Sequence, residues 1–152
     1  AEHVRAAKWG QRQYVNPAMR KGTEQEPIAR AAYAKAFEPV RPAFFVAGEY
    51  GCSLDGISRD GATIVEIKTP YRGRDNDRWR LAAKGQTRED DYAQIQHQLM
   101  VCRAAIAHLW VWDAESRQGR SVEIEPASKY WRRIRAAWNA FWPSLGRRQD
   151  IL

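Results

Sequence analysis

The chain has 152 residues, of which 28% are charged and 11% aromatic, a composition typical of one globular domain over residues 1–152. Its formal net charge of +7 favours an anionic partner, most commonly nucleic acid. Cys52 and Cys102 are far apart in the sequence and indicate neither a disulfide framework nor a zinc site. No apolar run approaches the ~20 residues of a membrane span and no signal peptide is visible, so we expect a soluble, cytoplasmic protein.

The first 21 residues are basic and surround Trp9 and Tyr14. Residues 2–14 are compatible with a helix that ends at Asn16-Pro17. Two interpretations stay open for residues 1–21. They form either a basic N-terminal arm that contacts DNA or a solvated helix that packs Trp9 on the core.

An alanine-rich stretch from Gly22 predicts a helix of about four turns that ends before Pro39. Its start has two possible signals. Thr23 and Glu26 fit a capping box, whereas Pro27 at the first helical position would make Glu26 the cap. Glu26 therefore has a structural explanation in either case.

The next segments predict a strand and a hairpin. Residues 43–50 are apolar and lead into two β-rich runs that flank Asp60-Gly61, a dipeptide typical of a two-residue hairpin turn. With this turn, Ile57 pairs with Ile64 and Gly56 pairs with Val65. The following pair is Asp55 opposite Glu66.

Strand alternation places Ile64, Glu66 and Lys68 on one face of the hairpin, with Val65 and Ile67 on the other. Asp55 and Glu66 would repel each other unless a divalent cation lay between them. The alternative interpretation is a surface hairpin whose Glu66 and Lys68 only face solvent.

Residues 71–88 contain six basic residues with little apolar periodicity, which predicts a long surface loop. Such a loop at the end of the hairpin is well placed to contact phosphates, with Tyr71 or Trp79 available to stack on a base. A merely solvated loop is the alternative. The candidate DNA-binding residues are Arg72, Arg74, Arg78, Lys84 and Arg88.

From Glu89 the apolar pattern is helical and runs through Ile95 and Leu99 as far as Leu109, with Asp90 or Asp91 favourable at the N-terminus. A different face carries Gln94 and Gln98. We interpret Gln96 and Gln98 as exposed glutamines and His97 as a surface histidine.

Residues 107–113 and 120–125 predict two further strands, and the C-terminal segment 127–152 begins with a capped amphipathic helix over residues 128–141. Trp131, Trp142 and the Arg147-Arg148 tail are left to contact DNA or another subunit. The order of elements predicts an α/β fold, with a mixed central β-sheet flanked by α-helices.

Four short motifs together resemble one family. Asp55 followed by Glu66 and Lys68 resembles the D-x(n)-(D/E)-x-K core of the PD-(D/E)XK nucleases. The string around Glu26 resembles the G-x-x-x-E-x-x-A-R helix, and Gln94 matches the first glutamine of the Q-x-Q motif, in the YqaJ-like viral recombinase branch. That branch includes the phage lambda-type alkaline exonucleases. The G-x-x-x-E-x-x-A-R motif is matched at Gly22, Glu26, Ala29 and Arg30.

The resemblance implies a restriction-endonuclease-like core and a Mg²⁺ site in which Mn²⁺ substitutes. Asp55, Glu66 and the carbonyl of Ile67 would bind the metal, and Lys68 would orient or deprotonate the attacking water. Glu26 and Gln94 would complete the catalytic set from outside the ligands. The position of a further metal-binding aspartate in some members is occupied by Phe45, so one or two ions are possible.

By the same resemblance, the expected function is 5′-to-3′ digestion of double-stranded DNA in phage or prophage recombination, in the cytoplasm of a bacterial host. A homotrimer and a single-strand annealing protein are the implied partners. No segment before Gly22 matches the arginine and serine with which lambda-type exonucleases bind a 5′-phosphate. The alternatives are a structure-selective endonuclease such as a junction resolvase, and a non-catalytic DNA-binding accessory domain.

Overall fold

The computed structural model describes residues 16–145. Five strands form one sheet in the order β1-β2-β3-β4-β5. The predicted helix over residues 2–14 and the Arg147-Arg148 tail lie outside the described residues. The strands are β1 (Val40–Ala47), β2 (Tyr50–Ser58), β3 (Thr63–Lys68), β4 (Ile106–Asp113) and β5 (Gln118–Ile124).

The sheet is mixed, as the sequence predicts. The pairs β1–β2, β2–β3 and β4–β5 are antiparallel, and β3 runs parallel to β4. A parallel neighbour requires a long crossover, which residues 69–105 supply with two helices. The helices are α1 (Pro17–Ala36), α2 (Asp77–Ala82), α3 (Glu89–Cys102) and α4 (Ser128–Phe141).

The two faces of the sheet bury separate apolar clusters. Ile64 of β3 packs in the cluster under α3, while Val65 and Ile67 pack with Ala29 and Tyr33 of α1 on the opposite face. The predicted alternation of β3 is therefore confirmed. A strand buried on both sides is fixed in register, because a slip of one residue would exchange its two faces.

Helix α1 begins earlier than either predicted start. Asn16 is its N-cap, with Oδ1 accepting a hydrogen bond from Met19 N at 2.9 Å, and Pro17 occupies the first turn. Asn16-Pro17 thus begins a helix, and the preceding helix that these residues were predicted to end lies outside the described residues. Pro27 is accommodated inside α1, which ends at Ala36 as the sequence predicts.

Segment 71–88 is not a long surface loop. It contains a 3₁₀ turn at Gly73–Asp75 and helix α2, whose N-cap Asn76 accepts from Arg78 N at 3.0 Å. Trp79 is buried, with the Arg120 guanidinium 4.4 Å from its ring centroid. Trp79 therefore anchors α2 to the sheet and cannot stack on a base, contrary to the sequence interpretation.

The helical pattern predicted to reach Leu109 is interrupted. Arg103 adopts a left-handed conformation with φ 60° and ends α3, and Leu109 lies in β4. Helix α4 has the predicted bounds, although no side chain caps it at Ala127. None of the described helices is both long and apolar enough to cross a membrane.

Gln96 joins α3 to α4 from a fully buried position. Its Nε2 donates to the carbonyl of Glu125 at 2.7 Å, and its Oε1 accepts from Ala127 N and from Trp131 Nε1, both at 2.9 Å. The expectation of an exposed Gln96 was wrong. Trp131 is likewise committed to this contact through its indole nitrogen.

A close approach between β4 and β5 gives a test of this packing. A Cβ on Gly119 would lie 1.9 Å from the buried ring of Trp110, whereas a Cβ on Gly22 in α1 would lie 3.5 Å from Thr69 Oγ1. Gly119→Ala should destabilise the fold by about 1–3 kcal/mol through overpacking. Gly22→Ala, the matched control, should stabilise it by about 0.5–1 kcal/mol. Urea denaturation of both variants measures the difference, and an unaltered Gly119→Ala midpoint would contradict the observed packing.

Candidate active site

A β-bulge in β2 sets the direction of Asp55. Arg41 pairs with Ile57 and Ala43 with Leu54, so two steps along β1 oppose three along β2. Leu54 and Ile57 consequently pack in the same apolar cluster, although a regular strand would place them on opposite faces. The extra residue lies at Asp55-Gly56, a feature that the sequence interpretation did not include.

The hairpin register agrees with the prediction at two pairs, but residues 59–62 form the loop, and neither the predicted two-residue turn nor the pairing of Asp55 with Glu66 is observed. Gly56 pairs with Val65 and Ile57 with Ile64. Beyond them the Asp55 side chain takes the place of a backbone acceptor, because its Oδ2 accepts from Ile67 N at 2.8 Å. One carboxylate oxygen of Asp55 is thereby fixed against β3.

Burial is the main reason why the pKa of Asp55 is raised from 3.8 to about 7. The neighbouring Glu66 carboxylate raises this pKa further, and the hydrogen bond from Ile67 N lowers it in part. Glu26 adds a smaller contribution in the same direction as Glu66. The two hairpin carboxylates therefore share one poorly solvated space.

Glu66 is 5% exposed and receives three hydrogen bonds. Its Oε1 accepts from Lys68 Nζ and from Gln94 Nε2, both at 2.8 Å, and its Oε2 accepts from Gln98 Nε2 at 2.6 Å. Asp55, Glu66, Lys68 and Gln94 are thus brought together. Gln98, interpreted as an exposed glutamine, is buried in the same site.

Lys68 lies among polar groups of α3. Its Nζ donates to Gln94 Oε1 at 2.9 Å and is 3.7 Å from Asp91 Oδ1. Asp91 is 2% exposed and is paired with Arg78 of α2. The alternative interpretation, in which Lys68 only faces solvent, is therefore wrong.

The α1 helix reaches the site from the other side of β2 through Arg30. Arg30 forms an ion pair with Glu26 and donates from Nε to the carbonyl of Asp55 at 2.6 Å. Glu26 is thereby tied to the bulge by its own helix neighbour, one turn away. The sequence motif contained Arg30 without giving it a contact.

The candidate DNA-binding residues divide into two groups. Arg72 and Lys84 are exposed, whereas the other three arginines already contact carboxylates of the chain. Of the five, Arg78 lines an open cleft of about 550 Å³ together with Glu26, Lys68 and Tyr71. The paired contacts are Arg74 with Asp113 at 3.1 Å, Arg78 with Asp91 at 2.6 Å, and Arg88 with Asp77 and Asp90, both at 2.9 Å.

The donor set fits a hard divalent cation bound through Asp55 and Glu66. Both supply carboxylate oxygens, and the pKa of Asp55 is raised by burial and then by the negative charge of Glu66, both of which a bound cation would offset. Gln98 Oε1 is a buried acceptor with no hydrogen-bond partner among the described residues. Those residues contain no cluster of three His, Cys, Asp or Glu side chains able to hold a metal by themselves.

The expected ligand role of the Ile67 carbonyl, like the other assigned roles, stays a prediction. Phe45, at the position of the family's further aspartate, packs against the apolar cluster under α3. It offers no ligand for a second ion.

Sequence interpretation missed two α3 residues of this site, Asp91 and Gln98. The sequence did indicate them, because Asp91 and Gln98 lie three residues before and four residues after Gln94 and so share its helix face. His97, interpreted as a surface histidine, is partly buried beside Tyr50, and burial lowers its pKa.

The titration of Asp55 gives a test of the metal-free site. Because its folded pKa of about 7 exceeds 3.8, the folded state binds more protons, and the stability that Asp55 contributes falls as pH rises toward 7. Asp55→Asn should therefore raise the melting temperature in EDTA more at about pH 8 than at about pH 5, by at least ~3 °C at the higher pH. Scanning calorimetry measures this, with the exposed Glu115→Gln as control. Equal increases in melting temperature at both pH values would contradict the raised pKa assigned to Asp55.

Comparison with solved structures finds the same fold in exonucleases. The alkaline exonuclease LHK-Exo from Laribacter hongkongensis matches with a TM-score of 0.76 at 24% identity, over 95% of this chain and 78% of that one. Its complex with dAMP matches with a TM-score of 0.74 at 22% identity, with the same coverage. A phage-related exonuclease from Haemophilus somnus 129PT matches with a TM-score of 0.71 at 12% identity, over 88% and 73% of the two chains. Curated protein sequences give no significant match.

A family model gives the assignment that these low identities alone do not. The model of the YqaJ-like viral recombinase domain matches residues 2–105, which include every motif from Gly22 to Gln98. This match confirms the resemblance inferred from the sequence. The chain belongs to the YqaJ-like viral recombinase domain family.

Proposed function

We propose that the chain is a metal-dependent deoxyribonuclease of phage-type recombination that hydrolyses phosphodiester bonds of double-stranded DNA. The observation that carries the proposal is the convergence of Asp55, Glu66 and Lys68 beside one open cleft, with the lysine ammonium 2.8 Å from Glu66. Membership of the YqaJ-like family and the shared fold with two named exonucleases support it.

Asp55 and Glu66 would hold Mg²⁺, or Mn²⁺ in its place, with the Ile67 carbonyl as a third protein ligand. When bound, such an ion polarises a phosphate oxygen and lowers the pKa of a water molecule. Asp55 must be ionised to bind, so we expect metal affinity to weaken as pH falls below about 7. Gln94 and Gln98 orient Glu66 from both of its oxygens.

Lys68 would serve the reaction itself. Its ammonium lies at the surface of the cleft, where it would stabilise negative charge on the phosphoryl oxygens or orient the attacking water. Gln94 accepts from Lys68 and donates to Glu66, so one amide fixes the spacing of the two groups. A positioned donor of this kind loses little entropy when substrate arrives.

The cleft offers groups for the DNA backbone and for one base. Arg78 and Lys68 supply positive charge, and Tyr71 is 59% exposed with Lys21 Nζ 5.1 Å from its ring centroid. The exposed ring of Tyr71, close to cationic side chains, suits stacking on a base next to a bound phosphate. Digestion from a duplex end in the 5′-to-3′ direction is the mode that we propose.

The metal and the lysine can be separated by experiment. Asp55→Asn should abolish cleavage of end-labelled duplex DNA and reduce the rise in melting temperature that Mg²⁺ causes in the unaltered protein. Lys68→Ala should lose most cleavage yet keep the Mg²⁺-induced rise, because the lysine is not a ligand. Glu115→Gln, far along the chain in the β4–β5 loop, is the control for both measurements.

Unchanged cleavage by Asp55→Asn would overturn the site assignment. Loss of the Mg²⁺ effect in Lys68→Ala, to the extent seen in Asp55→Asn, would instead show that the lysine belongs to the metal site.

End dependence distinguishes the proposed exonuclease from a structure-selective endonuclease. Linear duplex DNA should be degraded with Mg²⁺, closed circular duplex should survive, and EDTA should stop the reaction. A 5′-phosphorylated end should be degraded fastest if the chain anchors that phosphate. Nicking of closed circular or four-way-junction DNA, with linear ends left intact, would favour the endonuclease.

A further inference from the structure

We propose that Asp91 is a positioning residue of the nuclease site, whose buried carboxylate holds Lys68 and Arg78 side by side along the cleft. The chemical role rests on the function proposed above. The arrangement itself is described by contacts within the chain, and one measurement below addresses it without any cleavage assay.

Asp91 lies in the first turn of α3 with 2% of its surface exposed. Its Oδ2 accepts from Arg78 Nε at 2.6 Å and its Oδ1 accepts from Arg78 Nη2 at 3.0 Å. The same Oδ1 is 3.7 Å from Lys68 Nζ. One carboxylate therefore contacts two cations. The positive end of the α3 dipole lies at the same turn and also stabilises its negative charge.

The acceptors around Lys68 show why this contact matters. An ammonium group has three donors, and Lys68 faces Glu66 Oε1, Gln94 Oε1 and Asp91 Oδ1. Glu66 Oε1 is shared with Gln94 and belongs to a predicted metal ligand. Asp91 is thus the neighbouring carboxylate able to hold the lysine without sharing it with a metal ion.

Arg78 extends the same arrangement to the substrate side. It belongs to the short helix α2 and lines the cleft together with Lys68. A planar guanidinium beside an ammonium suits two oxygens of one phosphodiester. Because both cations contact Asp91, this carboxylate sets the distance between them before any substrate binds.

A purely structural role for the Asp91–Arg78 pair would be to fasten α2 to α3. Asp91→Asn removes the charge and keeps the shape, and it leaves Arg78 with the exposed Asp90 carboxylate, whose Oδ2 is 3.6 Å from Arg78 Nη2. The double variant Asp91→Leu/Arg78→Met replaces the buried pair by apolar side chains, which generally preserves stability. In the double variant, α2 should still pack against α3. Lys68, however, would have lost the Asp91 carboxylate that holds it.

The kinetic test uses the full chain with linear duplex DNA and Mg²⁺. Asp91→Asn and the double variant should each lower kcat by about 10- to 100-fold, with a much smaller change in KM for Asp91→Asn. Glu89→Gln is the matched control, since Glu89 is exposed in the same turn of α3, whereas Asp90 Oδ2 lies 3.6 Å from Arg78 Nη2. A folded double variant with the control's kcat would overturn the proposal, because fastening alone would then suffice.

The second readout is the side-chain ammonium signal of Lys68 in the nitrogen-15 NMR spectrum of the metal-free protein, assigned by its loss in Lys68→Ala. The signal should broaden or shift in Asp91→Asn and stay unchanged in Glu89→Gln. An unchanged signal in Asp91→Asn would overturn the proposal. If the unaltered protein cleaves no DNA, the proposed function fails, and this spectrum still decides whether Asp91 holds the lysine.

Discussion

The structure depends on how two carboxylates share a buried space on one hairpin. Burial and then the neighbouring Glu66 carboxylate raise the pKa of Asp55, and the backbone donor of Ile67 and the Lys68 ammonium oppose that rise. Glu66 is surrounded by Lys68, Gln94 and Gln98, while Asp55 has a backbone donor of β3. Glu66 thus has a cationic partner in Lys68, whereas the Asp55 carboxylate has, among the described residues, only a backbone donor, which makes it the group that the proposed cation would contact.

The two layers of helices act on this site from opposite faces of the sheet. Helix α1 brings Arg30 to the carbonyl of Asp55, and α3 brings Gln94 and Gln98 to Glu66. The bulge at Asp55 lies between these layers, where β2 leaves its regular pairing. The two apolar faces of β3 pack against α1 and α3, and this packing fixes both helices relative to the polar groups of Asp55 and Glu66.

Features that depend on residues close in the sequence were predictable from the sequence pattern. Alternation along β3 and the hairpin register follow from neighbouring residues, so the grouping of Glu66 and Lys68 was available from the sequence. The bulge at Asp55 depends on pairing with β1, and the burial of Gln98 depends on which face of α3 meets the sheet. Both are tertiary effects that spacing alone does not determine. The helix in segment 71–88 was missed for a similar reason, since one buried side chain, Trp79, anchors it.

The net charge of +7 already counts the carboxylates that pair with arginines of segment 71–88, so the paired arginines contribute little to it. Arg74, Arg78 and Arg88 are already neutralised by carboxylates of the chain. A phosphate that contacts one of them meets a cation already paired with an internal anion, and few condensed counterions are set free in exchange for that contact. Affinity that arises in this way depends only weakly on ionic strength, since the salt dependence counts newly neutralised phosphates and not arginines. At these three positions, contact with a duplex would then depend on local fit more than on long-range attraction.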